Sequence, residues 1–171
     1  IANRYAEALF QIGEEENKTD NLYNELKEVS SLITTNNDLN NVMKSPLVSK
    51  NEKIQLIDTL FAGKIDNDLK NFFKILVEKG RITSVEAIEA TYKELLNEKN
   101  NILEGYVISA VPMDNEKIKE LETELSKKYN KNVTLENKVD KSVLGGVLVR
   151  LGNTEIDGTI KTRLDGLKNQ L

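Results

Sequence analysis

The chain contains no histidine and no cysteine among its 171 residues. Their absence excludes Ser-His-Asp and Cys-His catalytic triads, haem ligation by histidine, and every zinc site built from these two residue types. It also excludes disulfide bonds, which is compatible with a cytoplasmic location. Catalysis by carboxylate or lysine side chains stays possible, but the range of possible catalytic chemistry is small.

Tryptophan is also absent, and aromatic residues, proline and glycine are scarce. Aromatic residues make up 5% of the chain, beside 2 prolines and 9 glycines, while 39% of residues are hydrophobic and 30% are charged. This composition is typical of a helix-rich soluble protein. No apolar run approaches the roughly 18 residues of a membrane-spanning helix, so we expect no direct membrane insertion.

The charge balance argues against nucleic acid as a partner, because 24 basic and 28 acidic side chains give a net charge of −4. The two parts of the chain differ. Residues 1–101 hold 13 basic and 17 acidic groups, whereas residues 102–171 hold 11 of each. The residue pattern changes near the same position, which predicts two domains with these bounds.

Residues 1–101 follow the 3.6-residue period of α-helices and predict six of them. On a helical wheel the apolar arc of the first helix covers roughly 200°, twice the width of an ordinary surface helix. One part of the arc contains Ala2, Ala6, Leu9, Phe10 and Gly13, and the surplus part contains Tyr5, Ala8 and Ile12. Either this helix is central and buried all round, or the surplus faces a partner helix.

Helix boundaries are marked by capping residues. The second helix is predicted from Thr19 to Thr35, with Thr19 or Asp20 as its cap. The Ser-x-x-Glu pattern of Ser49–Glu52 and the Thr-x-x-Glu pattern of Thr83–Glu86 are typical of capping boxes, which predict the starts of two more helices.

The fifth helix is predicted from Ile65 to Lys79, with Gly80 as its stop. Its apolar stripe consists of Leu69, Phe72, Phe73, Leu76 and Val77. Ile75 does not belong to that stripe and lies on an otherwise polar side. The segment 66–68, Asp-Asn-Asp, lacks the glycine and distal glutamate of a calcium loop, so helix capping explains it better.

After residues 97–101 the spacing of apolar residues changes from the 3.6-residue period of helices to the 2-residue period of strands. The stretch 97–101 itself is polar and suits a hinge. The predicted elements are a strand over 102–111, a helix from Asp114 to near Tyr129, strands over 133–139 and 144–151, and a last helix from Asp157. This β-α-β-β-α order predicts a three-stranded sheet with two helices. Gly145, Gly146 and Gly152 flank a strand and do not open a helix, so they indicate a bulge or tight strand entry and not a phosphate loop.

Four stretches spread over the chain carry a resemblance to a known family. They are A-N-R-Y-A-E-A-L-F (2–10), N-F-F-K-I-L-V-E-K-G-R-I (71–82), V-T-L-E-N-K-V-D-K-S-V-L-G-G-V-L-V-R-L-G (133–152) and I-D-G-T-I-K-T-R-L (156–164). Together they resemble the delta-subunit family of bacterial F-type ATP synthases, whose mitochondrial counterpart is the oligomycin-sensitivity-conferring protein. The third stretch is the most specific of the four.

The resemblance implies an N-terminal six-helix bundle followed by a small β-α-β-β-α domain. It implies a non-catalytic stator subunit of a proton- or sodium-translocating enzyme, without a cofactor, on the cytoplasmic face of the bacterial cell membrane. The N-terminal domain is expected to hold the N-terminal helix of an alpha subunit, and the C-terminal domain the C-terminal ends of b subunits. Torque from the rotor would then be resisted through these contacts.

The resemblance also implies a partner-binding groove between the first and fifth helices. Tyr5, Ala8 and Ile12 are expected on one side of it and Ile75 on the other. Glu78 or Lys79 is expected at its rim. Tyr5, Ala8, Ile12 and Ile75 are also the apolar side chains that the two helical wheels leave unassigned.

Two other functions stay open on the sequence. One is a free-standing helical adaptor that binds an unrelated amphipathic helix. The other is an enzyme that uses paired carboxylates or a lysine, which a cleft containing strongly perturbed acids would favour.

Overall fold

The computed structural model describes residues 2–143, 147–152 and 159–162. Its contacts divide the chain into two compact units, residues 1–96 and 97–171. The elements are α1 (Ala2–Glu15), α2 (Thr19–Thr35), α3 (Asn37–Lys44), α4 (Lys50–Phe61), α5 (Asn67–Glu78), α6 (Val85–Lys99), β1 (Ile102–Ser109), α7 (Asn115–Tyr129), β2 (Asn132–Val139), β3 (Val147–Leu151) and β4 (Thr159–Thr162). The chain is thus mostly helical with a small sheet, and this combination agrees with the sequence prediction.

The sheet is mixed and has the strand order β2-β1-β3-β4. Strands β1 and β2 are parallel, and the other two pairs are antiparallel. The predicted three-stranded sheet with a helix from Asp157 is wrong at residues 159–162, which form β4 and pair with β3. Pairing along β3 satisfies backbone groups that a helix would have satisfied internally. The remainder of that predicted helix, and residues 144–146 of the predicted third strand, lie outside the described residues.

Several helix starts follow the sequence signals. The hydroxyl of Ser49 accepts a hydrogen bond from the backbone N–H of Glu52 at 3.1 Å, which confirms the predicted cap. The Glu52 carboxylate accepts from the Ser49 hydroxyl at 3.2 Å, whereas in a capping box it accepts from the backbone N–H of the cap residue. Asp66 caps α5 by accepting from the N–H groups of Asp68 and Leu69. Asp114 caps α7 in the same manner.

Two predicted caps are wrong. A 3₁₀ turn at Ile82–Ser84 precedes α6, so Thr83 is inside that turn and does not cap the helix. Helix α2 begins at Thr19 itself, after Lys18, whose side chain makes no capping hydrogen bond. Thr19 is buried, and its carbonyl accepts a hydrogen bond from the Tyr92 hydroxyl at 2.7 Å, so packing determines the entry into α2.

The core of the first unit joins all of its helices. Phe73, Leu9, Leu26, Ile57 and Ile88, from five different helices, are each fully buried in it. The predicted stripe of α5 is correct, because all five of its apolar members are buried. Helix α6 continues to Lys99, so it occupies most of the stretch that was predicted as a hinge.

The second unit has its own core on one face of the sheet. Along β1 the residues alternate between half-buried and buried, as expected for a strand with one covered face. Leu121 and Leu125 of α7 pack there with Val107 and Val149 of the sheet. The two units therefore have separate hydrophobic cores.

Candidate functional site

Helix α1 is buried on one side only. Ala6, Leu9, Phe10 and Gly13 are buried, whereas Ala8 is exposed and Tyr5 and Ile12 are half-buried. The surplus apolar residues predicted from the wheel therefore reach the surface, and α1 is not buried all round.

Helix α5 places Ile75 on its outer side. The side chain of Ile75 is 45% exposed, while Phe72, three residues before it, and Leu76, directly after it, are buried. Exposed single hydrophobic side chains are common on protein surfaces, so the meaning of Ile75 depends on what surrounds it.

The two helices meet through an aromatic pair. The rings of Tyr5 and Phe72 pack edge to face, with 6.4 Å between their centroids and 73° between their planes. The predicted binding surface, made of Tyr5, Ala8 and Ile12 on α1 and Ile75 on α5, is called the α1–α5 groove below. Phe72 was predicted only as a core residue, yet its ring also packs against that of Tyr5.

The predicted rim residues lie at the end of α5. Glu78 is its last residue and Lys79 follows it, and both side chains are exposed. The Lys79 N–H donates to the carbonyl of Ile75 at 2.9 Å, which closes the last turn. The Lys50 ammonium of α4 donates to the Glu78 carbonyl at 2.8 Å and so holds this end of α5 against α4.

An ion-pair cluster joins the other end of α5 to the end of α1. The Lys18 ammonium lies 2.8 Å from Glu16, 2.9 Å from Asp66 and 2.8 Å from Asp68. Hydrogen bonds to Asp68, Glu16 and Asp66, in that order, raise the pKa of Lys18 above its ordinary value. The bond from Lys18 likewise lowers the pKa of Asp68. Nothing in the sequence predicted this cluster, because Asp66 and Asp68 are separated from Lys18 by 48 and 50 residues.

Within the part of the chain that the structure describes, the acids with shifted pKa values do not line the cleft. The carboxyl groups whose pKa values are lowered are Asp58, Asp68 and Asp140, and their causes are lysine partners or the nearby Ser142. A cleft of about 260 Å³ lies between α2, α3 and α6, and it is lined by none of these three acids. Lowered pKa values at a surface do not provide a general acid at neutral pH.

Two further findings concern metals and membranes. Within residues 2–143, 147–152 and 159–162, no group of three or more acidic side chains is placed to hold a metal ion. None of the helices in the part of the chain that the structure describes is long and apolar enough to cross a membrane.

Comparison with protein families finds one model that matches residues 1–171, and it describes the ATP synthase delta (OSCP) subunit. Two curated relatives carry the name ATP synthase subunit delta. The protein from Clostridioides difficile (strain 630) is 59% identical over 172 residues, covering 100% of this chain and 95% of the relative. The protein from Alkaliphilus metalliredigens (strain QYMF) is 39% identical, with the same coverage of both.

Solved structures share the fold. A chain of the Toxoplasma gondii mitochondrial ATP synthase hexamer superimposes with a TM-score of 0.69 at 20% identity, over 99% of this chain and 96% of that one. A chain of the Polytomella F-ATP synthase, from its F1 head and rotor, gives a TM-score of 0.54 at 21% identity, over 58% and 89%.

Proposed function

Because the chain belongs to the ATP synthase delta (OSCP) family, we propose that its two units tie the catalytic head of the enzyme to the peripheral stalk. The chain is a peripheral-stalk component of an F-type ATP synthase and has a structural role, not a catalytic one. Because the chain belongs to this family, the alternative of an adaptor unrelated to this enzyme is set aside.

In this proposal the first unit binds the N-terminal helix of an alpha subunit in the α1–α5 groove. The second unit binds the C-terminal ends of b subunits. The link holds the head stationary while the rotor turns, on the cytoplasmic face of the bacterial cell membrane. Proton or sodium flow then drives synthesis, because the head does not rotate with the shaft.

The position of Ile75 carries this proposal. It is a large aliphatic side chain, 45% exposed, on a helix whose other apolar residues are buried. Helix α1, whose Tyr5 packs on Phe72 of the same helix α5, contributes the half-buried Tyr5 and Ile12. An amphipathic helix that lays its apolar face between two helices would cover such a strip.

The lining suits a helix as partner. Ala8 is exposed and small, so a backbone can approach α1 closely at that point. The ring of Tyr5 packs on that of Phe72, and Tyr5 can contact the partner with its ring and form a hydrogen bond through its hydroxyl. Anchors of this kind dominate the free energy of binding at many interfaces.

The separate cores support two separate partners. Because the second unit packs Leu121 and Leu125 against its own sheet, it does not need the first unit to complete its core. It can therefore bind the b subunits while the first unit holds the alpha subunit. Pull-down of the full chain by a peptide from the C-terminal end of a b subunit is expected, and loss of it on deletion of residues 102–171 checks the assignment.

We predict that Ile75→Asp weakens binding of the alpha-subunit peptide by a hundredfold or more. The substitution buries an unpaired carboxylate on binding, which costs several kcal/mol, and roughly 1.4 kcal/mol corresponds to a tenfold change in affinity. Titration calorimetry with the N-terminal peptide of the cognate alpha subunit measures the effect. The melting temperature should change little, because surface positions usually contribute less than about 1 kcal/mol.

Two controls accompany this measurement. Leu32 on α2 is 40% exposed, so Leu32→Asp introduces the same charge at a matched surface position and should leave the affinity unchanged. Leu69 on α5 is fully buried, so Leu69→Asp should unfold the unit. If Ile75→Asp melts the protein as Leu69→Asp does, with unchanged affinity per folded molecule, the groove is misplaced.

A further inference from the structure

We propose that helix α7 closes the outer edge of β2 to strand addition, and that Glu122 and Ser126 are the two residues responsible. A second copy of this chain, or an extended segment of another protein, then cannot lengthen the sheet at β2. This inference does not depend on the α1–α5 groove or on the identity of the partners, because it concerns the second unit alone.

Strand β2 lies at one end of the described sheet. In the order β2-β1-β3-β4 it has a neighbour on one side only, β1, among the strands that the structure describes. It is eight residues long, which exceeds the common length of about five or six. An edge strand presents a row of N–H and C=O groups with which another chain can pair. At the other end of the described sheet, β4 has only four residues, and short strands offer fewer such groups.

Side chains of α7 occupy the outer edge of β2. The hydroxyl of Ser126 accepts a hydrogen bond from the backbone N–H of Val133 at 3.0 Å, and the carboxylate of Glu122 accepts one from the N–H of Leu135 at 2.8 Å. Val133 and Leu135 are alternate residues, and alternate residues of a strand direct their backbone groups to the same edge. Because their N–H groups bond to a helix that is not part of the sheet, that edge is the one away from β1.

The spacing of the two elements explains why the bonds form as a pair. Glu122 and Ser126 are one helical turn apart, about 6 Å along the axis. Val133 and Leu135 are two residues apart on the strand, about 6–7 Å. The earlier residue of α7 bonds to the later residue of β2, because the left-handed turn at Asn130 reverses the chain between them. The acceptors of α7 therefore repeat in step with the outward N–H groups of β2.

Packing holds the two acceptors at this edge. Leu121 and Leu125, which precede Glu122 and Ser126 directly, are buried in the core of the second unit, and both acceptors are half-buried. The bond to the carboxylate is charge-assisted, and such bonds are stronger than neutral ones. An incoming strand would have to break both bonds before its own carbonyl oxygens could accept from β2. The edge is therefore closed while α7 stays in place.

Amide hydrogen exchange in the full-length chain tests the two bonds. In Glu122→Ala the exchange of the Leu135 amide should accelerate roughly tenfold or more, and in Ser126→Ala that of Val133 should accelerate by a smaller factor. Glu122→Gln keeps an acceptor at the same place and should restore most of the protection. The control is Glu124→Ala, which removes an exposed carboxylate from the same helix and should change neither amide. Unchanged exchange in both alanine variants would overturn the assignment.

Self-association tests the consequence for the sheet. In sedimentation velocity, Glu122→Ala combined with Ser126→Ala should form more dimer as its concentration rises than the original chain or Glu124→Ala. The amides of Val133 and Leu135 should regain protection in that dimer, because the second strand supplies acceptors. If the double variant does not fold, Glu122→Ala is measured in the same way. A folded variant whose association is unchanged overturns the proposal, and so does a dimer in which these amides stay unprotected.

Discussion

Gly105 shows how a single residue determines the spacing of the sheet. It pairs with Leu151 where the central strand β1 meets β3. A Cβ atom added at this position would collide with the carbonyl oxygen of Arg150 and would lie 2.8 Å from Cδ2 of Leu151. The backbone oxygen cannot move away without breaking the ladder, so only glycine fits.

We predict that Gly105→Ala destabilises the second unit by about 1–3 kcal/mol, the usual cost of overpacking. Amide hydrogen exchange along β1 in the full chain measures the change, and protection there should fall. Thr134→Ala is the control, because Thr134 is an exposed residue on the neighbouring strand β2. Unchanged protection in Gly105→Ala would show that β3 can shift to accommodate a methyl group.

Asn137 shows what a sequence pattern conceals. Its amide group donates to the carbonyl of Val107 at 2.9 Å and to the hydroxyl of Ser109 at 3.0 Å, and its oxygen accepts from the N–H of Met113 at 2.8 Å. From the sequence it was only a polar position in an alternating strand. The strand period places it on the same face as Val133 and Leu135, which marks it as a polar residue on the covered face. Its partners lie 24 to 30 positions away, so the sequence does not identify them.

At the scale of elements, Asp58 joins two neighbouring helices. Its carboxylate on α4 lies 2.6 Å from the Lys74 ammonium and 3.5 Å from that of Lys70, both on α5. The hydrogen bond from Lys74 is the main cause of a pKa below the ordinary value of 3.8. A carboxylate with a lowered folded-state pKa stabilises the fold above its unfolded pKa, and this contribution disappears as the pH falls through the folded-state pKa.

We therefore predict that Asp58→Asn lowers the urea midpoint of unfolding at pH 7 and has progressively less effect below pH about 4. Added salt should also reduce the difference, because the ion pair is only half-buried and reaches solvent. Lys74→Met should reproduce more of the loss than Lys70→Met, since its ammonium is closer. If the lowering of the urea midpoint instead stays constant from pH 7 to the acid range, it arises from packing or helix propensity and not from the ion pair.

The success of sequence analysis at this scale depended on how local each signal was. The bounds of α2, Thr19–Thr35, were predicted correctly from the spacing of its apolar residues. The segment 66–68 was likewise assigned to helix capping, and Asp66 is the cap, although α5 begins at Asn67 and not at the predicted Ile65. By contrast, β4 forms because β3 lies beside it, and the residues around Ile160 fit a helical pattern equally well. Tertiary pairing overrides local preference in such a segment.

The groove was predictable in part for the same reason. The two wheels identified Tyr5, Ala8, Ile12 and Ile75 as surplus apolar residues, and the structure places all four at or near the surface. That they bind a partner stays a prediction. The Lys18 cluster was not predictable, because it depends on the approach of α1 to α5.

At the scale of the whole molecule, the chain consists of two units with separate cores. The division falls at residues 96 and 97, whereas the sequence placed it after residue 101. The roles of the two units as holders of the head and of the stalk stay predictions.

We predict that a fragment of residues 1–101 folds by itself, because it contains the complete first core and the whole of α6. Circular dichroism should show a single cooperative melt. The remaining fragment of ~70 residues should be less stable, since small domains bury less of their surface. An unfolded 1–101 fragment, from a full chain that folds, would mean that the first core depends on the second unit.

The central place of β1 in the sheet has a mechanical consequence. The chain leaves the first unit once and enters the sheet directly at Ile102, at the end of a strand that is bonded to β2 on one side and to β3 on the other. A pull directed along β1 from Ile102 would act on both ladders together, in shear, and would not open one bond after another. In the proposed role of a link between head and stalk this attachment is an advantage, because no single hydrogen bond has to withstand the load alone.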